Sequence, residues 1–158
     1  SGEGDFAARN NKGELLKEIS NVKGIAYGTI KHLISPLINE AFYLANNKFG
    51  FLTFGPYDVE QLNFNTYSSD SNDQYRWHFD ESPNSQEDIK LTLLMNLSTE
   101  EYEGGEFETY IYEKKRVDEF SQPGSVYMFP SKFHHRVLPV TSGTRKTLTF
   151  FITGPRFR

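Results

Sequence analysis

The sequence predicts a mainly β protein in which N-terminal helices pack outside a jelly roll or barrel of about eight strands. Helical periodicity is confined to the first third of the 158-residue chain, whereas short runs of β-branched and aromatic residues fill the remainder. Clusters of Gly, Pro, Asn and Ser separate these runs. Aromatic residues make up 15% of the chain, which gives it large apolar side chains to bury although only 37% of residues are hydrophobic.

The length is typical of one domain. We expect residues 1–12 to form a flexible N-terminus and residues 13–158 to form that domain. Within it, the helices should lie in residues 13–46 and the β core in residues 61–154.

Two helices are predicted from apolar residues spaced three and four apart. The first runs from Gly13 to Val22 and the second from Thr29 to Asn46. Pro36 divides the second segment and fits two interpretations. Either a new helix begins at Pro36, capped by Ser35, or Pro36 kinks one continuous helix.

The strands follow Phe51, where the pattern changes from helical spacing to short β-rich runs. The predicted strands are Gln61 to Ser68, Gln74 to Asp80, Ile89 to Ser98, Glu106 to Tyr112, Arg116 to Phe120, Ser125 to Phe129, Phe133 to Val140 and Lys146 to Thr153.

Composition excludes several kinds of function. The absence of cysteine rules out disulfides, thiolate zinc sites, iron-sulfur clusters and a cysteine nucleophile, so any metal must bind nitrogen and oxygen atoms. A net charge of -4 argues against a nucleic-acid partner held by phosphate neutralisation. No apolar run is long enough for a membrane helix, and no signal-peptide pattern opens the chain. We expect a soluble, intracellular, cytoplasmic protein without a membrane partner.

The histidines are the strongest candidates for chemistry. His32 lies in the second predicted helix and is best explained as an ordinary helix residue. His78 and Asp80 are two apart in a predicted strand, so both side chains should project from one face. His135 lies in a distant strand. Two imidazoles and one carboxylate can bind Fe(II) and leave three positions open, although a zinc or manganese cupin remains an alternative.

Arg145 follows the second histidine motif by ten residues. Its planar guanidinium suits bidentate recognition of the far carboxylate of a dicarboxylate such as 2-oxoglutarate. Taken alone, an arginine at a turn exit would be an ordinary surface residue.

Together these motifs resemble the Fe(II)- and 2-oxoglutarate-dependent dioxygenases, and within them the prolyl 4-hydroxylase-like branch, over residues 62–154. Five segments carry the resemblance, in the family's order: Tyr75 to Asp80 (Tyr-x-x-His-x-Asp), Leu91 to Ser98, Glu101 to Phe107 (with Gly-Gly-Glu), Pro123 to Ser131, and His135 to Arg145 (His-x-Val-x-Pro-Val-x-x-Gly-x-Arg).

The resemblance implies a double-stranded β-helix with the metal between two facing sheets. It implies that His78, Asp80 and His135 bind Fe(II) on neighbouring strands of one sheet, and that Arg145 binds 2-oxoglutarate from the opposing sheet. Adjacent strand residues face opposite ways, so we assign His134 to the outer face or to a supporting contact.

Further residues are assigned to the co-substrate by resemblance. Tyr67 falls where the family often has a tyrosine hydroxyl that contacts 2-oxoglutarate. Thr147, or alternatively Thr92, is expected to assist Arg145, because some relatives have a tyrosine where this chain has Leu94-Met95-Asn96.

The resemblance implies hydroxylation of a C–H bond with O2 as oxidant, release of succinate and CO2, and allows ascorbate as a reductant. The branch favours a peptidyl proline in a peptide or protein, with Tyr75, Trp77 and Arg76 near the substrate. A free amino acid or other small molecule is the enzymatic alternative. A binding module on the same fold that has lost turnover is the alternative from another class.

Overall fold

The computed structural model describes residues 17–19, 21–57 and 60–156. Among these residues the architecture is mainly β, as predicted, and it has one N-terminal α-helix where the sequence predicted two. The helix α1 is Tyr27–Tyr43, and a π-helical turn, Leu44–Lys48, continues it. The strands are β1 Lys17–Glu18, β2 Asn21–Ala26, β3 Gln61–Ser68, β4 Gln74–His78, β5 Glu87–Asn96, β6 Glu103–Gly104, β7 Phe107–Tyr110, β8 Lys114–Arg116, β9 Val126–Pro130, β10 His134–Val137, β11 Val140–Ser142 and β12 Thr144–Pro155.

The strands form two five-stranded sheets and one short pair. The first sheet has the order β1-β4-β10-β7-β8, and the second has the order β2-β3-β12-β5-β9. The remaining strands, β11 and β6, pair with each other. Every pairing is antiparallel. We name the two large sheets the ligand sheet and the arginine sheet, because they carry the paired histidines and Arg145 respectively.

Two apolar clusters hold these layers together. One lies between helix α1 and the outer face of the arginine sheet, where Ile38 and Ala41 pack with Leu91 and Phe150. The other lies between the two sheets and includes Phe107, Phe129 and Val137, together with Tyr67, Val117, Phe120 and Val140. Burying large aliphatic and aromatic side chains on both faces of the arginine sheet makes it the central layer of the fold.

The second predicted helix is confirmed, with shifted ends, and Pro36 lies inside one continuous helix. The first is wrong where the structure describes it: residues 17–18 and 21–22 belong to β1 and β2, while residues 13–16 and 20 lie outside the described part. Strand β2 pairs along its length with β3. This tertiary pairing overrides the weak helical periodicity of the segment.

Two strand predictions also need correction. The predicted strand Arg116 to Phe120 is a 3-10 helix over Asp118–Ser121, because Phe120 turns inward and is only 3% exposed in the cluster between the sheets. The predicted strand Phe133 to Val140 is divided into β10 and β11, and Pro139, which lacks an N–H to donate, lies in the gap.

Within the described residues, no helix has the length and apolar character that a membrane crossing requires.

Candidate metal centre

His78, Asp80 and His135 come together at one end of the ligand sheet. His78 is the last residue of β4, and His135 is its direct partner on the neighbouring strand β10. One ligand atom from each of the three residues lies within 4.8 Å of the others. His135 is 4% exposed, whereas the adjacent His134 lies on the exposed side of the strand with its ring against Phe79.

A register shift between β4 and β10 determines which β4 side chains face inward. His135 pairs with His78 but Val137 pairs with Tyr75, so two residues of β4 lie opposite Arg136 alone. Simple alternation would put Tyr75 and His78 on opposite faces, but this bulge turns both toward the interior. Their rings are stacked, with centroids 3.5 Å apart and an interplanar angle of 12°.

The two histidines are oriented in the same way by backbone carbonyls. His78 Nδ1 lies 2.7 Å from the carbonyl oxygen of Arg76, and His135 Nδ1 lies 2.8 Å from that of Phe133. Because a carbonyl can only accept, each Nδ1 carries the hydrogen and each Nε2 is left with a lone pair. Both Nε2 atoms lie 3.5 Å from the same Asp80 oxygen, Oδ1. Three donor atoms therefore converge on one point.

The charge states suit a cation. Burial lowers the pKa of His78, against the opposing influence of Asp80, and so favours the neutral imidazole that a metal requires. Burial alone would raise the pKa of Asp80, but the nearby His135 and His78 outweigh it and hold that pKa well below its usual range. A carboxylate and two neutral imidazoles form the ligand set of non-haem Fe(II) sites.

Asp80 is positioned by the arginine sheet and not by its own strand. It lies beyond the end of β4, so the strand alternation used to predict its direction does not apply. Its backbone N–H donates to the carbonyl oxygen of Ser131 at 3.0 Å. Its Oδ2 accepts a hydrogen bond from Thr92 Oγ1 at 2.7 Å. Thr92 thus contacts Asp80, where the sequence had offered it as a partner for Arg145.

Arg145 lies on β12 of the opposing sheet and is 1% exposed. Its Nε and Nη2 atoms are buried and have no hydrogen-bond partner among the described residues. The guanidinium carbon lies 5.1 Å from the ring centroid of Tyr67 and 5.6 Å from that of Phe120. Unpartnered buried donors are rare because their desolvation is costly. Two of them on one buried guanidinium fit a bidentate carboxylate ligand.

Tyr67 is the direct cross-strand partner of Arg145. Burial raises the pKa of its hydroxyl to about 12, even though the positive charge of Arg145 acts in the opposite direction. The hydroxyl therefore stays protonated at neutral pH and can donate as well as accept. The Tyr67 hydroxyl therefore provides a hydrogen-bond donor next to the Arg145 guanidinium.

A cavity of about 590 Å³ joins Arg145 to the histidines. Predicted site residues that line it are Tyr67, Tyr75, His78, Asp80, His135, Arg145 and Thr147. Trp77 and Arg76 are not among its lining residues. Trp77 lies on the outer face of the ligand sheet, where the Arg136 guanidinium carbon is 4.6 Å from its ring centroid.

Sequence reasoning missed two amides in the cavity wall, Asn63 and Asn65. Asn65 Nδ2 donates to Thr149 Oγ1 at 3.2 Å and contacts Thr147 Oγ1 at 3.5 Å. The signal was present in β3, where Asn63, Asn65 and Tyr67 alternate with the buried Leu62 and its neighbours. Taking that alternation with Tyr67 inward would have placed both amides in the interior.

Comparison with known proteins adds independent findings. The family model of the 2OG-Fe(II) oxygenase superfamily matches residues 62–153. A PKHD-type hydroxylase from Crocosphaera subtropica is 45% identical over 60 residues, which is 37% of this chain. The matched segment spans only 25% of the length of that relative.

Solved structures share the architecture. A prolyl-4-hydroxylase from Pseudomonas putida aligns with a TM-score of 0.66 and 17% identity, over 85% of this chain and 72% of its own. A prolyl hydroxylase from Trichoplax adhaerens, in complex with a hypoxia inducible factor peptide fragment, aligns with a TM-score of 0.65 and 19% identity, over 92% and 68%. A viral collagen prolyl hydroxylase from Paramecium Bursaria Chlorella virus-1, in complex with 2OG, aligns with a TM-score of 0.61 and 19% identity, over 90% and 83%. At these identities the likeness confirms the jelly-roll fold.

Proposed function

This chain belongs to the 2OG-Fe(II) oxygenase superfamily, and from that premise we propose that it is a 2-oxoglutarate-dependent hydroxylase of a peptidyl proline. The observation that carries the proposal is the convergence of His78, Asp80 and His135 in a cavity that is also lined by Arg145, whose buried Nε and Nη2 atoms have no hydrogen-bond partner among the described residues. An oxidation that is coupled to 2-oxoglutarate needs a metal site and a group that binds the far carboxylate in the same cavity.

In this proposal Fe(II) is held by Nε2 of His78, Nε2 of His135 and Oδ1 of Asp80. The carbonyl contacts at both Nδ1 atoms support it, because they keep the lone pairs of Nε2 available. The iron, when bound, supplies the redox chemistry by which O2 and 2-oxoglutarate convert a substrate C–H group to C–OH, with succinate and CO2 as the other products. The protein contributes orientation and buried walls around the reacting groups.

Arg145 binds the far carboxylate of 2-oxoglutarate in this proposal. Its Nε and Nη2 donors are support for that role, since a carboxylate would satisfy both at once. Tyr67 and Thr147 lie beside it in the cavity wall and would contribute hydroxyl groups. With the dicarboxylate fixed at one end, its 2-oxo acid end is directed toward the histidines.

The substrate is proposed to enter where the cavity wall includes Tyr75, Phe79 and Pro83. Phe79 is 41% exposed, and the stacked Tyr75 and His78 rings add a second aromatic surface at the metal end. Aromatic faces of this kind suit the apolar ring of proline. The solved relatives include a prolyl hydroxylase in complex with a peptide fragment, which further supports a peptide substrate.

The segment after Asp80 supports a peptide more than a fully enclosed metabolite. It is a short turn in which the Ser82 hydroxyl donates to Glu87 Oε1 at 2.8 Å and accepts from the N–H of Asn84 at 3.1 Å. The turn contributes Glu81 and Pro83 to the cavity wall, and in this proposal its shortness leaves room for an extended chain to reach the metal end from outside.

The test combines the purified chain with Fe(II), 2-oxoglutarate, O2 and a panel of proline-containing peptides and free amino acids. We expect succinate formation that depends on Fe(II), together with a peptide product heavier by one oxygen atom. Asp80→Ala should lose both, whereas His134→Ala, which changes an exposed neighbour of the site, should keep both. Oxygen incorporation into a free amino acid and not into any peptide would contradict the proposed substrate. Unchanged turnover in Asp80→Ala would contradict the metal site.

A further inference from the structure

We propose that the hydroxyl groups of Thr92 and Ser131 form a directional relay that positions the Asp80 carboxylate, so that only Oδ1 is presented to the metal. This inference rests on the proposed function, because it concerns the same metal site. Neither hydroxyl touches the converging donor atoms themselves, so both are positioning residues and not ligands.

The number of hydrogens on each group determines which oxygen donates and which accepts in the two hydrogen bonds. Thr92 Oγ1 lies 2.7 Å from Asp80 Oδ2 and 2.8 Å from Ser131 Oγ. The ionised carboxylate has no hydrogen, so Thr92 must donate its single hydrogen to Asp80. Thr92 can then only accept from Ser131. Ser131 therefore donates to Thr92, and Thr92 donates to Asp80.

Burial makes these contacts obligatory. Thr92 is 1% exposed and Ser131 is 0% exposed, so neither hydroxyl has bulk water as an alternative partner. A donor hydrogen bond to a charged acceptor is stronger than a neutral one, and it is shorter. The 2.7 Å separation of Thr92 and Asp80 fits that class.

The relay also crosses from one sheet to the other. Thr92 lies on β5 of the arginine sheet, and Ser131 directly follows β9, the strand paired with β5. Asp80 follows β4 of the ligand sheet. The Ser131 carbonyl accepts the Asp80 N–H at 3.0 Å, so Ser131 acts on both the backbone and, through Thr92, the side chain. These two hydrogen bonds hold Asp80 in place, although it lies beyond the end of β4 and takes no part in strand pairing.

The consequence for the metal follows from the chemistry of carboxylates. A hydrogen bond to one carboxylate oxygen favours binding of the metal through the other oxygen. If the Thr92 hydroxyl is removed, Oδ2 becomes a second donor for the same metal. A bidentate aspartate would occupy one of the positions that the ligand set otherwise leaves for 2-oxoglutarate and O2.

The experiment titrates the full chain with Co(II) alone and follows its visible d–d absorption, which reports affinity and coordination number together. Thr92→Val removes the hydroxyl with little change in volume. We expect it to weaken Co(II) binding by roughly 10- to 100-fold and to change the spectrum toward another coordination number. Thr92→Ser retains a hydroxyl and should restore both, and Ser131→Ala should have a smaller effect in the same direction. Ser98→Ala is the matched control, because Ser98 is a buried hydroxyl that lies outside the cavity lining.

Thermal unfolding of the metal-free variants separates positioning from folding. If Thr92→Val does not fold, Ser131→Ala still tests the relay through the same spectrum. Wild-type affinity and spectrum in both Thr92→Val and Ser131→Ala, with Asp80→Ala unable to bind Co(II), would overturn the relay and leave the metal site standing. Equal Co(II) binding by wild type and Asp80→Ala would overturn the metal site, and the relay with it.

Discussion

The two large sheets are held in place by different kinds of contact. The arginine sheet is covered on its outer face by helix α1, and apolar side chains such as Ile38 and Phe150 fill the space between them. On the outer face of the ligand sheet, Glu108 and Arg136 form an ion pair and Trp77 packs over the guanidinium. The arginine sheet is thus fixed mainly by buried apolar area, and the ligand sheet has charged contacts on the corresponding face.

Because the two sheets are held by different contacts, substitutions in them should affect folding and the metal site to different extents. The arginine sheet has the larger apolar core and carries Arg145 and Thr92, and Ser131 directly follows its strand β9. The ligand sheet carries the histidines, and the hydrogen bonds of Asp80 with Thr92 and Ser131 connect it to the arginine sheet. Changes in the helix-covered core should therefore act on folding first, whereas changes in the ligand sheet should act on the site at a smaller cost in folding.

Phe150→Ala should have the largest effect on stability. Phe150 is 0% exposed, and its ring centroid lies 6.1 Å from that of Tyr27 and 6.4 Å from that of Phe42 on helix α1. Truncation leaves a cavity under the helix and should lower the free energy of unfolding by about 3–5 kcal/mol. Urea unfolding of the metal-free chain measures it. Phe150→Leu, which keeps most of the volume, should cost clearly less. A loss below about 1 kcal/mol would contradict the importance of this core.

Glu108→Gln should have an intermediate effect. The Glu108 side chain is 3% exposed, and its Oε1 accepts from Arg136 Nη2 at 2.6 Å and from Nε at 2.7 Å. Burial would raise its pKa, but the bond from Arg136 outweighs burial and holds the pKa below its usual range. Removing the charge should lower the free energy of unfolding by about 1–2 kcal/mol at pH 7.

The pH dependence of the same pair has a definite sign. Because the folded-state pKa of Glu108 is depressed, its contribution is present above the unfolded value and is lost as pH falls through the acid range. The stability difference between wild type and Glu108→Gln should therefore shrink on acidification. Glu103→Gln, at an exposed position, should change stability by no more than about 0.5 kcal/mol. An undiminished difference in acid would contradict the assignment of stability to the ion pair.

Tyr67→Phe should have the smallest effect on the free energy of unfolding, and the difference from wild type should change with pH in the alkaline range. The unfolded chain loses the Tyr67 proton near pH 10, whereas burial keeps it in the folded chain until about pH 12. Above pH 10 the unfolded state binds fewer protons, so stability falls as pH rises. Between about pH 9 and about pH 11, wild type should lose about 1 kcal/mol more than Tyr67→Phe in urea unfolding. Parallel pH profiles would show that Tyr67 is not buried beside Arg145.

Much of the β core and the positions of the converging residues could be predicted from the sequence. Alternation and turn residues located most strands, because their patterns are local. Strand β2 escaped prediction because its pairing with β3 is a tertiary contact that its own residues barely signal. The 3-10 helix at Asp118–Ser121 escaped for a similar reason, since the burial of Phe120 depends on the opposing sheet.

Within the site, the motif spacing indicated His78, Asp80, His135 and Arg145, which the structure places around one cavity. It did not indicate the bulge that turns Tyr75 inward and stacks it on His78, because a bulge changes the register without changing the sequence pattern. Nor could it indicate that Thr92 would contact Asp80. That contact depends on how two sheets face each other, which spacing along the chain does not determine.

The most direct test of the account is an anaerobic titration of the Fe(II)-loaded chain with 2-oxoglutarate, followed by the visible absorption that a chelated 2-oxo acid gives to an iron(II) centre. Wild type and His134→Ala should develop the band and saturate alike. Asp80→Ala should give no band, and Arg145→Gln should need at least roughly 100-fold more 2-oxoglutarate, because a charged bidentate partner contributes about 3 kcal/mol. A band of wild-type affinity in Arg145→Gln, or any band in Asp80→Ala, would contradict the assignment of the two ends of the cavity.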